Sequence, residues 1–134
     1  MKPLRTILLE EVNKQSIFVV VKPGFLNLAQ TIIERFENNG YHLEKIRTKR
    51  LLLSEAQQLY VIHKKEGWYK QLCQYMSSEP TTAIIFSKDC KDIFKDSSNL
   101  KDEIRKEFGE SDMRNVIHSS DSQEHMDFES SLYF

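Results

Sequence analysis

Apolar positions along the chain fall into blocks whose spacing alternates between that of a strand and that of a helix. Ile17-Phe18-Val19-Val20-Val21 is an unbroken, mostly β-branched run ended by Lys22-Pro23-Gly24, and it predicts a buried strand entering a turn. From Leu28 to Asn39 the apolar residues Leu28, Ile32, Ile33 and Phe36 keep helical spacing, with Gly40 placed to cap the helix. Tyr41 to Leu53 alternates at Tyr41, Leu43 and Ile46, which predicts a second strand with a basic, exposed side. Ser54-Glu55-Ala56-Gln57 has the form of a capping box opening a helix through Tyr60 toward His63. Trp68 to Met76, with Leu72 between, is another helical face, closed by the turn Ser77-Ser78-Glu79-Pro80. Thr81 to Phe86 is β-branched and apolar, a third strand. The charged stretch from Lys88 to Phe108 turns Ile93, Leu100, Ile104 and Phe108 inward on two short helices. Arg114 to His118 is a brief fourth strand, and Asp121 or Ser122 caps a last helix through about Glu129.

Strands and helices mixed in this order predict an open sheet covered by helices. An α+β, ferredoxin-like βαββαβ plan with a four-stranded antiparallel sheet fits the spacing better than a doubly wound parallel sheet. The length, 134 residues, suits one domain able to bury its own core, expected over 16–134 behind an N-terminal segment at 1–15.

Charge narrows the chemistry. With 19 basic and 20 acidic side chains and a net charge of −1, the chain lacks the basic excess of a nucleic-acid binder, and no nucleic-acid partner is expected. An anionic ligand must then be held by a local cluster of cations, not by the field of the whole molecule. Cys73 and Cys90 have no CxxC spacing, so neither a disulfide framework nor a zinc site follows, and a reducing, cytoplasmic setting is expected. No apolar run approaches the ~20 residues of a membrane span, and the first residues are too acidic beyond their short apolar stretch for a signal peptide. No membrane partner is expected.

His118 ends an apolar strand, with Asn115 three residues before it and hydroxyls and a carboxylate after it. Such a histidine either packs at the strand end against a neighbouring backbone group, or, oriented by a hydrogen bond, serves as a nucleophile at neutral pH. Glu129, late in the last helix, lies on a face able to point back at it. Lys22 at the end of the first strand is either solvated or a point charge for phosphate. Arg105 reads alone as a helix surface charge. Tyr60 and Trp68 read as core or groove aromatics, although a tryptophan beside Gly67 can also wall a base-stacking slot. His42, His63 and His125 share no metal-ligand spacing and read as surface residues.

Taken together these segments resemble the nucleoside diphosphate kinase family. Asn115-Val116-Ile117-His118-Ser119-Ser120-Asp121-Ser122 is similar to the family's N-x-x-H-G-S-D-S signature, with Ser119 in place of the glycine. Phe18-Val19-Val20-Val21-Lys22-Pro23 resembles its first strand, and Ile32 to Glu37 followed by Gly40-Tyr41 its first helix and turn. Tyr75-Met76-Ser77-Ser78-Glu79-Pro80 resembles its Y-M-S-S-G-P turn, and Leu132-Tyr133-Phe134 its L-W-F.

The resemblance implies a ping-pong phosphotransferase in which His118 takes the γ-phosphoryl group of a nucleoside triphosphate and passes it to a diphosphate. It implies that Glu129 with Ser120 orients the imidazole, and that Lys22, Tyr60 and Arg105 contact phosphates bridged by Mg²⁺, with no metal ligand from the protein itself. Asn115 and Lys22 would reach the ribose, Trp68 would stack the base, and Leu72 would back that groove. The chain departs from the family in two places. Lys22-Pro23-Gly24-Phe25 replaces K-P-D-G, and the contracted segment from Ser87 to Ile104 has no arginine and no G-x-T-x-P pattern. Lys95 and Lys101 are the cations there that can substitute for the family's second phosphate-binding arginine. An apolar residue opposite the stacking aromatic is also missing, with Asp112-Met113 in that region. The alternative implied is a catalytically weak or inactive kinase-like domain that binds nucleotide or a protein partner. The chain ends at Phe134, and a homo-oligomer is expected, a dimer rather than the family's hexamer.

Overall fold

A computed structural model describes residues 14–134; the expected segment at 1–15 lies almost wholly outside them. Four strands form one antiparallel sheet: β1 (Lys14–Val21), β2 (His42–Lys49), β3 (Thr81–Asp89) and β4 (Ile117–Ser119), in the order β2-β3-β1-β4. This is the ferredoxin-like order that the pattern predicts. Five α-helices cover it: α1 (Ala29–Glu37), α2 (Leu53–Leu59), α3 (Tyr69–Met76), α4 (Ile93–Phe108) and α5 (Gln123–Ser131).

The unbroken apolar run of β1 follows from its central place. Ile17, Val19 and Val21 face one core with α1 and α4, while Phe18 and Val20 face a second core with α2, α3 and α5. All five side chains are fully buried, since a strand covered on both faces has no polar side to present. In the first core Phe36 stacks on Phe86 at 4.4 Å between ring centroids, and Tyr41 meets Phe36 edge-on at 5.1 Å.

Gly40 ends α1 as expected. At φ +88° it donates to the Glu37 carbonyl while Tyr41 donates to Phe36, the paired bonds of a Schellman cap. Ser122 is the N-cap of α5, its Oγ accepting the His125 amide at 3.2 Å.

Three elements differ from the pattern. The helix at 53–59 opens one residue before Ser54: Leu52 holds the N-cap position, and only the Glu55 half of a capping box forms, its carboxylate accepting the Leu52 amide at 2.9 Å. It stops at Leu59, and a single 3₁₀ turn follows at Val61–His63. In place of two short helices, α4 is one helix of 16 residues, capped by Asp92 accepting from Phe94 and Lys95. No glycine or proline interrupts it, and Ile93, Ser97, Leu100 and Ile104 keep one buried stripe throughout. β4 is shorter than Arg114 to His118 because Val116 sits at φ +81°, which no extended strand accommodates.

Candidate active site

β1, β4 and α4 meet around a cavity of about 600 Å³. Lys22, Tyr60, Trp68, Leu72, Arg105, Asn115 and His118 all line it. Glu129 and Ser120 stand behind it, both buried.

His118 occupies the middle of β4, paired with Val20 of β1, so the sheet itself fixes its backbone. The loop entering β4 adds a second constraint. Ile117 donates to the Asn115 carbonyl across Val116, a γ-turn of the rare positive-φ form, and Lys22 donates its amide to the Val116 carbonyl at 2.8 Å. On the ring, Nε2 bonds the carboxylate of Glu129, which as an acceptor keeps the proton on Nε2 and the lone pair on Nδ1, and His118 itself lines the cavity. The Tyr60 ring meets the imidazole edge-on at 5.2 Å between centroids. The hydroxyl of Ser120 instead bonds the backbone of Phe18, accepting its amide at 3.2 Å and donating to its carbonyl at 3.4 Å. Its hold on His118 runs through the end of β4, not through the imidazole or Glu129.

The turn after β1 brings Lys22 into the site. Phe25 donates to the Lys22 carbonyl at 3.1 Å, closing a turn with Pro23 at its second position and Gly24, at φ +88°, at its third. Those are the residues a type II turn requires, so Lys22-Pro23-Gly24-Phe25 is a complete turn without the aspartate of K-P-D-G. Arg114 caps it, lying over the rings of Phe25 and Tyr75 and paired to Glu110 at 2.7 Å, while the Tyr75 hydroxyl donates to the Pro23 carbonyl.

Positive charge gathers on one wall. Lys22 is 4% exposed and donates to the Met113 carbonyl at 3.3 Å; burial first, then Arg105 and Lys101, push its pKa down to about 7. Arg105 donates from Nε and Nη2 to the carbonyl of Ile117, at 3.1 and 2.8 Å, which ties the guanidinium to the residue before His118. Among the described residues, the buried side-chain polar atoms without a partner are the Tyr60 hydroxyl and Asn115 Oδ1, and both belong to residues lining this cavity. Buried polar groups are rarely left unpaired, so such atoms mark where a ligand completes the hydrogen bonding. Burial raises the Tyr60 pKa well above its ordinary value, keeping the hydroxyl a donor.

The opposite wall is apolar. Leu72 is buried at its base, and Trp68, 44% exposed, stands 5.0 Å from the His63 ring. Met113, partly buried, also lines the cavity, its carbonyl accepting from Lys22. His63, which reads as a surface residue from spacing, belongs to the site, as do Lys101, Asp112, Ser119 and Asp121. His63 carries no local signal, because its place depends on the 3₁₀ turn that follows α2. Lys101, one of the two lysines singled out in the contracted segment, lines the cavity four residues before Arg105 on the same face of α4, whereas Lys95 does not.

The nucleoside diphosphate kinase family model matches residues 15–134. A nucleoside diphosphate kinase from Helicobacter pylori is 34% identical over 135 residues, covering 90% of this chain and 96% of that one. Another from Kosmotoga olearia is 30% identical over 127 residues, covering 87% and 86%. Among solved structures, the Aquifex aeolicus nucleoside diphosphate kinase superposes with a TM-score of 0.81 at 24% identity, covering 90% of this chain and 95% of that chain. A nucleoside diphosphate kinase family protein from Babesia bovis gives 0.77 at 27% identity, covering 90% and 88%. A matched model over nearly the whole described chain, with relatives above 30% identity, places this chain in the nucleoside diphosphate kinase family.

Proposed function

We propose that residues 16–134 form a nucleoside diphosphate kinase working through a phosphohistidine on His118. The observation that carries this reading is His118, held at Nε2 by Glu129, lining the same cavity as Lys22, Arg105 and Tyr60, whose hydroxyl has no partner among the described residues. The Nδ1 lone pair attacks the γ-phosphorus in line; the bond from that phosphorus to the β,γ-bridging oxygen breaks, and the diphosphate leaves with the electron pair. The new N–P bond puts positive charge on the ring, and the Glu129 carboxylate at Nε2–H balances it. A second diphosphate then attacks the phosphorus with a terminal oxygen, and the histidine is restored. Because such transfers are loose, the protein's work is positioning and charge neutralisation. Lys22, Arg105 and Tyr60 supply donors to the phosphates, Asn115 and Lys22 reach the ribose, and Trp68 over Leu72 stacks the base. Stacking reads a π-face and not a base edge, so it accepts any nucleoside.

Among the described residues no group of three or more His, Cys, Asp or Glu forms a metal cage. Asp112 and Asp121, the carboxylates lining the cavity, would be the residues facing a magnesium ion carried in by the substrate phosphates. When bound, magnesium neutralises phosphate charge. The partners are nucleoside di- and triphosphates, with no nucleic acid or membrane. A cytoplasmic location goes with the free thiols of Cys73 and Cys90. A dimer, rather than a hexamer, goes with β2, an edge strand that leaves Leu43 and Ile46 exposed.

Intact mass after brief incubation with ATP and Mg²⁺ tests the reading. One phosphoryl group should add to the wild type, be removed by mild acid, and be absent from His118→Ala, which keeps nucleotide binding. A wild type that binds nucleotide yet gains no group would instead leave a binding domain without transfer.

A further inference from the structure

Lys101 and Arg105 leave the same face of α4 one turn apart, and both line the His118 cavity, which Lys22 also lines. Like charges at that spacing repel, and the fold brings a third cation up to them. Among the described residues none of these cations is paired with a carboxylate within ion-pair distance. Lys22 donates to one carbonyl and Arg105 to another, whereas Lys101, half-buried, has no hydrogen-bond partner among the described residues. Burial and the Arg105 charge lower the proton affinity of Lys101, with Asp121 and Asp102 acting weakly the other way. Half-buried cations held against one another are unfavourable alone and favourable around a polyanion.

Resting on the kinase reading, we propose that Lys101 is a phosphate-binding residue, the third cation on the wall that receives the transferring phosphoryl group. The geometry also separates it from Lys95. Lys95 lines an adjoining groove of about 480 Å³ between the starts of α4 and α5, next to Asp92, and is absent from the His118 cavity. Lys101 lines both, at their junction. A lysine there neutralises phosphate as a point charge, and an arginine can do so with two donors. Lys101 reaches this wall one turn before Arg105 on the same helix face, inside the contracted segment that lacks the arginine.

Four proteins decide the assignment: wild type, Lys101→Gln, Lys101→Arg and Lys95→Gln. Two quantities are measured, the single-turnover rate of phosphoryl incorporation from MgATP and the calorimetric affinity for MgATP relative to AMP. Lys101→Gln should slow incorporation roughly 10- to 100-fold and narrow the preference for MgATP over AMP by about tenfold. Lys101→Arg should recover most of both, and Lys95→Gln should match wild type. A Lys101→Gln protein that keeps the wild-type preference for MgATP overturns the assignment. If the wild type binds MgATP but transfers nothing, the kinase reading fails by itself, and a preference lost in Lys101→Gln still establishes the phosphate contact. A wild type with no preference for MgATP over AMP overturns both.

Discussion

Val116 is a β-branched residue at φ +81°, a conformation that costs on the order of 1–3 kcal/mol. Its carbonyl takes the Lys22 amide, so the strained residue joins the phosphate-side lysine to the strand bearing the histidine. At Lys22 burial acts against charge. With its pKa pushed down to about 7, the lysine is largely neutral above that pH in the free protein, and a bound phosphate chain draws a proton back. Nucleotide affinity should therefore be full below pH 7 and fall as pH rises from 7 toward the lysine's ordinary value. At pH 8, calorimetry in buffers of different ionisation enthalpy should show proton uptake on binding ADP, and Lys22→Gln should abolish it. Folding runs the opposite way: the unfolded lysine holds its proton up to its ordinary pKa, so stability rises with pH across the window in which affinity falls. Glu129 acts on the other end of the reaction. Glu129→Gln should lower the single-turnover rate of phosphoryl incorporation by about 10²-fold while leaving ADP affinity within about twofold, because the carboxylate touches the ring and not the nucleotide.

Among the elements, α4 differs most from what the local pattern suggests. Its centre, Ser97-Ser98-Asn99, is made of weak helix formers, and helix propensity alone favours a break there. Ser97 is buried and its hydroxyl folds back onto the Phe94 carbonyl at 3.3 Å, so tertiary packing outweighs local preference. A proline tells the two arrangements apart. At the first turn of a second helix, Asn99→Pro would be tolerated; inside one helix it should cost about 3 kcal/mol or more in urea unfolding. Where signals are local, the sequence and the structure agree. The two-sided burial of β1, the glycine cap of α1 and the serine cap of α5 each depend on a few neighbouring residues. The site was legible through its motif around His118 and through Lys22. Lys95 and Lys101 stood as equals in the sequence, and only the fold separates them, since Lys101 lines the cavity and Lys95 does not; His63 was hidden because it is delivered by a turn whose place is decided by distant packing. The length of β4 was hidden too, since nothing in a valine announces a positive φ.

At the scale of the whole molecule, the sheet separates two cores, and the site opens where the ends of β1 and β4 meet α4 and the turn after α2. No described helix is long and apolar enough to cross a membrane. β2 takes no part in either core beyond its edge: its residues are nearly all exposed, and its outer backbone edge is unpaired among the described residues. Sedimentation velocity should show a dimer, and replacing both Leu43 and Ile46 by lysine should shift it toward monomer without loss of fold, since neither side chain is buried.

The single helix α4 also sets how a substrate arrives. It runs from Asp92, its cap beyond the end of β3, to the cation wall, anchored along its length by Ile93, Leu100 and Ile104 in the same core as β1. A wall built this way belongs to the cooperative unit of the fold and cannot flap open independently of it. An incoming polyanion therefore meets cations already in position on this helix, in a local field that salt weakens. This side of the site is built before its substrate comes, and its charge is set by the fold rather than by a moving segment of α4.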